Sequence, residues 1–220
     1  MIEPSFAGRR AFILENTSLE RPPHTPELSL RLASEVTPIW KLTEEALAEI
    51  GLPPPFWAFA WAGGQALARY VLDHPKIVAG KGVVDFATGS GIVALAAARA
   101  GAARVLAADI DPFCEAAVAL NAEANDAAVE FIASDLLDHP APAWADVILA
   151  GDVCYEQPLA GRVLAWLAAA RARGATVLIG DPGRSYFPRQ GLDKLAEYQV
   201  PTTRELEDLE VKKTAVWEMP

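Results

Sequence analysis

The chain is short of cysteine, of positive charge and of uninterrupted apolar sequence, and each shortage excludes a class of protein. Its two cysteines, Cys114 and Cys154, stand 40 positions apart. They form no CxxC and no histidine stands at metal-ligand spacing, so neither a disulfide scaffold nor a zinc site is indicated, and buried reduced thiols are expected. No apolar run approaches the roughly 20 residues that a membrane-spanning helix needs, because charged residues, glycine and proline interrupt every candidate. Arg9 and Arg10 have the look of a twin-arginine signal, but Glu15, Asn16, Ser18 and Glu20 follow where an apolar stretch belongs. A cytoplasmic protein with no targeting segment and no membrane partner is expected. Lys and Arg total 19 against 29 Asp and Glu, a net charge of −10 with a pI near 4.8. Tracking a phosphate backbone requires a basic surface, so nucleic acid is not the expected partner and a cationic one suits the charge better. Internal repeats and low-complexity tracts are lacking too. What remains, 220 residues with 52% apolar content, suits one α/β domain.

Residues 1–55 differ from the rest. Pro22, Pro23, Pro26 and Pro38 divide them into short amphipathic pieces such as 27–34 and 43–50. In the second piece Thr43, Glu44 and Glu45 precede an apolar stripe of Ala46, Leu47 and Ile50, and Gly51 follows, which reads as a helix with its start and stop. The expectation is a helical or partly irregular N-terminal extension that ends at Pro53-Pro54-Pro55, followed by a domain over 56–220. Ala66, Leu67, Tyr70 and Val71 then recur at helical spacing within 63–73. A short buried strand is predicted at 81–86, further strands at 104–109, 129–133, 146–150 and 175–180, and helices at 91–100, 112–125, 159–173 and near 192–198. Two last strands, around 200–206 and 212–217, are so close that they must pair as an antiparallel hairpin across the acidic turn 207–210. Seven strands with helices between them describe a doubly wound, Rossmann-like sheet with helices on both faces and an antiparallel last strand.

The first of these strands runs into Asp85-Phe86-Ala87-Thr88-Gly89-Ser90-Gly91, and a helix opens at once. Glycines at such a turn allow torsions that other residues avoid and let a ligand approach the backbone at a helix N-terminus. Two cofactors compete. Gly89-Ser90-Gly91-Ile92-Val93-Ala94 satisfies the dinucleotide fingerprint, with Asp109 ending the next strand where a ribose-binding acid belongs. S-adenosylmethionine is favoured by three features taken together: Asp85 precedes the glycines where an α-ammonium is met, Asp135 follows the third strand near the adenine position, and a polar cluster follows the fourth. Asp111, before Pro112, reads as the cap of the next helix.

That cluster is Gly151-Asp152-Val153-Cys154-Tyr155, placed at the carboxyl ends of the strands, where open parallel sheets bind ligands. Methyl transfer from a sulfonium is an in-line displacement. It needs a neutral nucleophile aligned with the methyl group, and Asp152 and Tyr155 are candidates to hold and position an amine. The Asp/Asn-Pro-Pro-aromatic loop of nucleic-acid amino-methyltransferases is absent here, which favours another amine acceptor.

With these residues the chain resembles the seven-strand protein lysine methyltransferases marked by Asp-x-x-Tyr after strand four, and within them the electron transfer flavoprotein β-subunit lysine methyltransferases. The resemblance rests on Phe56-Trp57-Ala58, Trp61-Ala62-Gly63-Gly64-Gln65-Ala66-Leu67, Asp109-Ile110-Asp111-Pro112, Gly151-Asp152 with Tyr155, and Gly180-Asp181-Pro182-Gly183-Arg184. Thr25-Pro26-Glu27 and Thr214-Ala215-Val216-Trp217 extend it over nearly the whole chain. It implies a class I methyltransferase fold and catalytic roles for Asp152 and Tyr155. It also implies S-adenosylmethionine contacts from Trp61, Asp85, Thr88, Gly89, Ser90, Gly91, Asp109, Ile110, Asp135, Leu136 and Gly151, without a metal. The implied substrate is the flavoprotein β subunit, with a ribosomal protein as another candidate. Asp181 and Arg184 are placed either in the acceptor cleft or in an internal ion pair. One departure is Ala87, where the common motif has glycine. Methylation of a small nicotinamide-like amine and a non-catalytic binding module on the same fold are the alternatives.

Overall fold

The computed structural model describes residues 5–34, 37, 39, 52–188, 190–202 and 209–220. The predicted helix at 43–50, residues 203–206 of the predicted strand at 200–206 and residues 207 and 208 of the turn lie outside them. Helix α1 (Phe6–Asn16) starts where the Ser5 side chain accepts from the Gly8 amide, and its Ile13 is buried. Phe12 carries it onto Phe113 and Trp57, and Arg9 and Arg10 pair with Glu115 and Glu123. Strands β1 (Ser18–Glu20) and β2 (Leu30–Leu32) form a small antiparallel ladder. The described part of the extension is thus one helix and one ladder, and the piece at 27–34 holds a strand.

Helix α2 (Ala62–Asp73) precedes the main sheet. Then follow β3 (Gly82–Phe86), α3 (Ile92–Arg99), β4 (Arg104–Asp109), α4 (Pro112–Ala124), β5 (Glu130–Ala133), β6 (Val147–Gly151), α5 (Leu159–Ala172), β7 (Thr176–Asp181), β8 (Asp193–Pro201) and β9 (Val211–Glu218). The seven-stranded sheet has the order β5-β4-β3-β6-β7-β9-β8, with β9 antiparallel to both neighbours and the other pairs parallel. The predicted α/β sheet with its antiparallel last strand is what the chain builds. One element is corrected: residues 192–198 were expected to be helical but lie largely in strand β8, whose inward face is Ala196, Tyr198 and Val200. The ladder with β9 supplies the hydrogen bonds that a helix would otherwise have supplied internally.

Side chains alternate across the strands as the pleat requires. Val83, Val147, Leu149 and Leu178 pack under α2 and α3, while Val84, Ile148, Val177 and Ile179 pack against Val163, Trp166 and Leu167 of α5. No helix among the described residues is long and apolar enough to cross a membrane.

Four glycines set how closely α2 lies on this sheet. A Cβ on Gly180 would fall 2.2 Å from the Gly63 carbonyl oxygen, and one on Gly151 would fall 2.9 Å from Gly64 Cα. Backbone meets backbone with no side chain between them, so the first turn of α2 sits directly on the tips of β6 and β7. Gly161, on the exposed face of α5, has nothing within 4 Å of its would-be Cβ. Gly180→Ala is therefore expected to lose about 1–3 kcal/mol, a fall in Tm of roughly 3–10 °C, whereas Gly161→Ala holds or gains up to about 1 kcal/mol. Thermal melts of both variants check this; an unchanged Gly180→Ala melt contradicts the packing argument.

Candidate active site

A cavity of about 410 Å³ opens over the carboxyl ends of β3, β4, β5 and β6. Its floor is the loop between β3 and α3. Asp85 at the end of β3 points inward, 1% exposed, and its Oδ2 accepts from Thr88 Oγ1 at 2.5 Å and from the Ala94 amide at 2.9 Å. Burial pushes this carboxyl up to about 7, against the lowering effect of those two hydrogen bonds. Ala87 has φ of 53°, a left-handed backbone that costs an L-residue about 1 kcal/mol, and its methyl group is exposed beside the cavity. The Gly89 amide donates to Asp109 Oδ2 at 3.0 Å, which ties the loop to the end of β4. Gly91, with φ of 82°, caps α3 and packs on Val118; unlike the other cofactor candidates, it does not line the cavity.

The acids at the strand ends are already engaged by their own backbone. Asp109 Oδ1 accepts from the Asp111 amide, and Asp111 accepts from Phe113 and caps α4, as its position before Pro112 suggested. Burial raises the Asp111 carboxyl to about 6. Asp135 caps the short turn Leu136–Asp138 through the Leu137 amide and reaches Arg162 at 3.3 Å. Carboxylate oxygens have lone pairs to spare, so these bonds hold the acids in place while leaving room for a ligand. Ile110 (72% exposed) and Leu136 stand on the wall.

At the other end Asp152 follows Gly151 with φ of 58°. Its Oδ2 accepts from the Gly64 amide in the first turn of α2 at 2.8 Å, and its Oδ1 from Arg184 Nη2 at 2.6 Å and Nε at 3.1 Å. Arg184 lines the cavity and lies 5.5 Å from the centre of the Trp61 ring, so it stands both in the cleft and in an ion pair, though the partner is Asp152, and Asp181 holds the Arg184 backbone amide. Asp181 is outside the lining and 2% exposed; it accepts from the Gly183 and Arg184 amides, and burial raises it to about 6. Trp61 donates to the Phe56 carbonyl and meets the Phe56 and Phe59 rings edge-on, and Tyr155 meets Phe56 at 5.8 Å. Burial raises the Tyr155 phenol, so it is a neutral hydrogen-bonding group in the working pH range. Trp57 is a core residue stacked on Phe113. The Cys154 thiol, pushed up to about 12 by burial, and the buried Cys114 are not nucleophiles here.

Three contributors escaped the sequence reading. Phe56 and Phe59 line the cavity from before α2; Phe56 had entered only as part of Phe56-Trp57-Ala58, with no site role, and Phe59 through no motif. Asn121 is fully buried: its amide donates to the Ser90 carbonyl at 2.8 Å and accepts from the Arg31 amide at 2.7 Å, joining the extension to the glycine loop. A single amide on the buried face of an alanine-rich helix was the available signal.

Among the described lining residues, Asp85, Asp109, Asp111, Asp135 and Asp152 are acidic and Arg184 alone is cationic. A dinucleotide would bring a doubly charged pyrophosphate into this field. An ammonium and a sulfonium suit it better.

A model of the ribosomal protein L11 methyltransferase family matches residues 65–153. The electron transfer flavoprotein beta subunit lysine methyltransferase of Danio rerio is 38% identical over 94% of this chain and 81% of its own length. The Homo sapiens protein of the same name is 37% identical over 94% and 80%. The magnesium protoporphyrin IX methyltransferase of Synechocystis PCC 6803, solved with bound S-adenosylmethionine, aligns over 71% of this chain and 78% of its own, with a TM-score of 0.53 at 16% identity, a likeness of fold. The sheet order, the acidic cavity and these matches define an S-adenosylmethionine-dependent methyltransferase. Within that class, the chain belongs to the electron transfer flavoprotein beta subunit lysine methyltransferase family.

The buried Asp85 gives the site a pH signature. An unfolded aspartate releases its proton near 4, whereas the folded carboxyl keeps it up to about 7. The folded state therefore loses stability from this group as pH rises from about 4 to 7, on the order of 4 kcal/mol at most. Asp85→Asn keeps an acceptor for Thr88 and Ala94 without the charge. Denaturant titrations are expected to show the variant gaining on the wild type across that interval; a constant difference from pH 4 to 8 contradicts it.

Proposed function

We propose that this protein methylates lysine side chains of the electron transfer flavoprotein β subunit. The observation that carries the reading is the placement of Asp152 and Tyr155 on the wall of an acidic cavity in a chain whose full-length relatives bear that name. In this reading the domain spans 56–220 and residues 1–55 are an extension that steadies the glycine loop through Asn121. Thr88, Gly89, Ser90, Gly91 and Gly151 give the cofactor a close approach to backbone. Asp109 meets the ribose hydroxyls, Ile110, Asp135 and Leu136 frame the adenine, and Trp61 covers the methionine end. When bound, S-adenosylmethionine supplies an electrophilic methyl group on a sulfonium. Asp85 meets the cofactor's α-ammonium from beneath the loop, while its Oδ2, shared by Thr88 and Ala94, holds the loop in place. Asp152 accepts a hydrogen bond from the lysine amine, Tyr155 positions it, and water takes the surplus proton. The protein works in the cytoplasm on a protein substrate, without nucleic acid or membrane. The L11-type match over 65–153 favours a ribosomal protein as a second substrate.

Incubation with methyl-labelled cofactor and purified flavoprotein, ribosomes or small amines tests this. Label is expected on lysines of the flavoprotein β subunit by mass spectrometry. Asp152→Ala is expected to lower the rate by a hundredfold or more while calorimetric binding of S-adenosylhomocysteine stays within about threefold. Label confined to ribosomal protein would transfer the reading to that substrate, and label found in small amines alone would refute protein methylation.

A further inference from the structure

The acceptor carboxylate is not a bare negative charge. Asp152 Oδ1 is bound by both Nη2 and Nε of Arg184, at 2.6 and 3.1 Å, and the pair is largely enclosed, with side-chain exposures of 12% and 19%. Three contacts fix the guanidinium: the Arg184 amide is held by Asp181 Oδ1 at 2.7 Å, its side chain reaches Asp152, and its face lies 5.5 Å from the Trp61 ring centre. Asp152 is fixed independently by the Gly64 amide on Oδ2 and by its own amide on the Gly180 carbonyl. Neither side chain is a drifting surface charge; both are aimed at the cavity.

An exposed lysine is an ammonium at neutral pH, with a reference pKa of about 10.4, and an ammonium has no lone pair to attack a methyl group. A lone aspartate would make this worse by stabilising the charged form. Resting on the lysine-acceptor reading above, we propose that Arg184 is a positioning residue that cancels the charge of Asp152, so that the site holds the lysine amine neutral while still offering it a hydrogen-bond acceptor. The ammonium first gives a proton to water and becomes a neutral amine. Its lone pair then forms the new N–C bond as the methyl C–S bond breaks and that electron pair goes to sulfur, leaving a thioether and an alkylammonium that releases its extra proton to water. Among the described residues, the other titratable groups that share this corner are Cys154, Tyr155 and Glu156 after β6, Asp181 at the end of β7, and Asp109 beyond β4; α2 contributes a backbone amide and the Trp61 ring. Within that set, Arg184 is the group that opposes the acids.

The test is the pH dependence of kcat on saturating flavoprotein β subunit, which reports ionisations in the bound complex. In Arg184→Gln the rising limb is expected to move up by about one pH unit, with kcat about tenfold lower at pH 7.5 and KM unchanged or lower, because the ammonium now pairs with Asp152. Arg184→Lys keeps the charge and is expected to hold the limb within about 0.3 unit of wild type. Binding of S-adenosylhomocysteine and the melting temperature check that both variants are folded. A limb that stays in place in Arg184→Gln, or one that moves equally in Arg184→Lys, overturns the inference while leaving lysine methylation intact. Wild-type protein that labels no lysine removes the lysine reading and this inference together.

Discussion

The site depends on a contact that has no side chain in it. Gly63 and Gly64 of α2 lie against Gly180 and Gly151 at the tips of β7 and β6, so close that a methyl group at Gly63 would also sit 2.6 Å from Asp152 Oδ2. Because the backbones touch, the Gly64 amide comes within reach of Asp152, and the start of a helix, where amides lack internal partners, is turned onto a carboxylate. The strand tips place Asp152 and, through Asp181, Arg184; the helix start places Trp61. Three segments distant in sequence are brought into one wall by the absence of four side chains.

The opposite wall is built under tension. Asp85 is buried with its charge opposed by burial, and Ala87 occupies a backbone region that glycine enters without cost. Both lie between a strand that cannot shift, since β3 is paired on both sides, and a helix whose first turn is tied to Asp85 through the Ala94 amide. Strain of this kind persists where the surroundings over-determine it, and here they do so beside a ligand cavity. The extension adds to the restraint: Asn121 relays the position of β2 to the Ser90 carbonyl.

The central sheet was legible because its strands are short apolar runs separated by helices of clear period, and Asp85, Gly89, Asp109 and Asp152 were legible because each stands at or just beyond the carboxyl end of a strand. Strand β8 was not. Leu192, Leu195 and Ala196 stand at helical spacing, while the period-two face of Ala196, Tyr198 and Val200 emerges only when β9 provides a partner for the edge. Helix α1 was equally hidden, since its stability comes from Phe12 and two arginines meeting α4 more than 100 positions away. Sequence also left Arg184 divided between cleft and ion pair, because the residue that settles it, Asp152, lies 32 positions earlier on a neighbouring strand.

The distribution of charge gives the cavity its chemical sense. Acids at the ends of β3, β4, β5 and β6 create a field that draws in cations, and both partners of a lysine methyl transfer arrive as cations, one a sulfonium and the other an ammonium. Attraction alone would hold the ammonium in its unreactive form and set it against the sulfonium. On the proposal made above, Arg184 offsets the charge of Asp152 where the amine would bind, while the acids at the ends of β3, β4 and β5 keep the rest of the cavity acidic. Attraction into the cavity and reactivity within it are thereby separated along its length, and the separation is carried by the spacing of two strand ends.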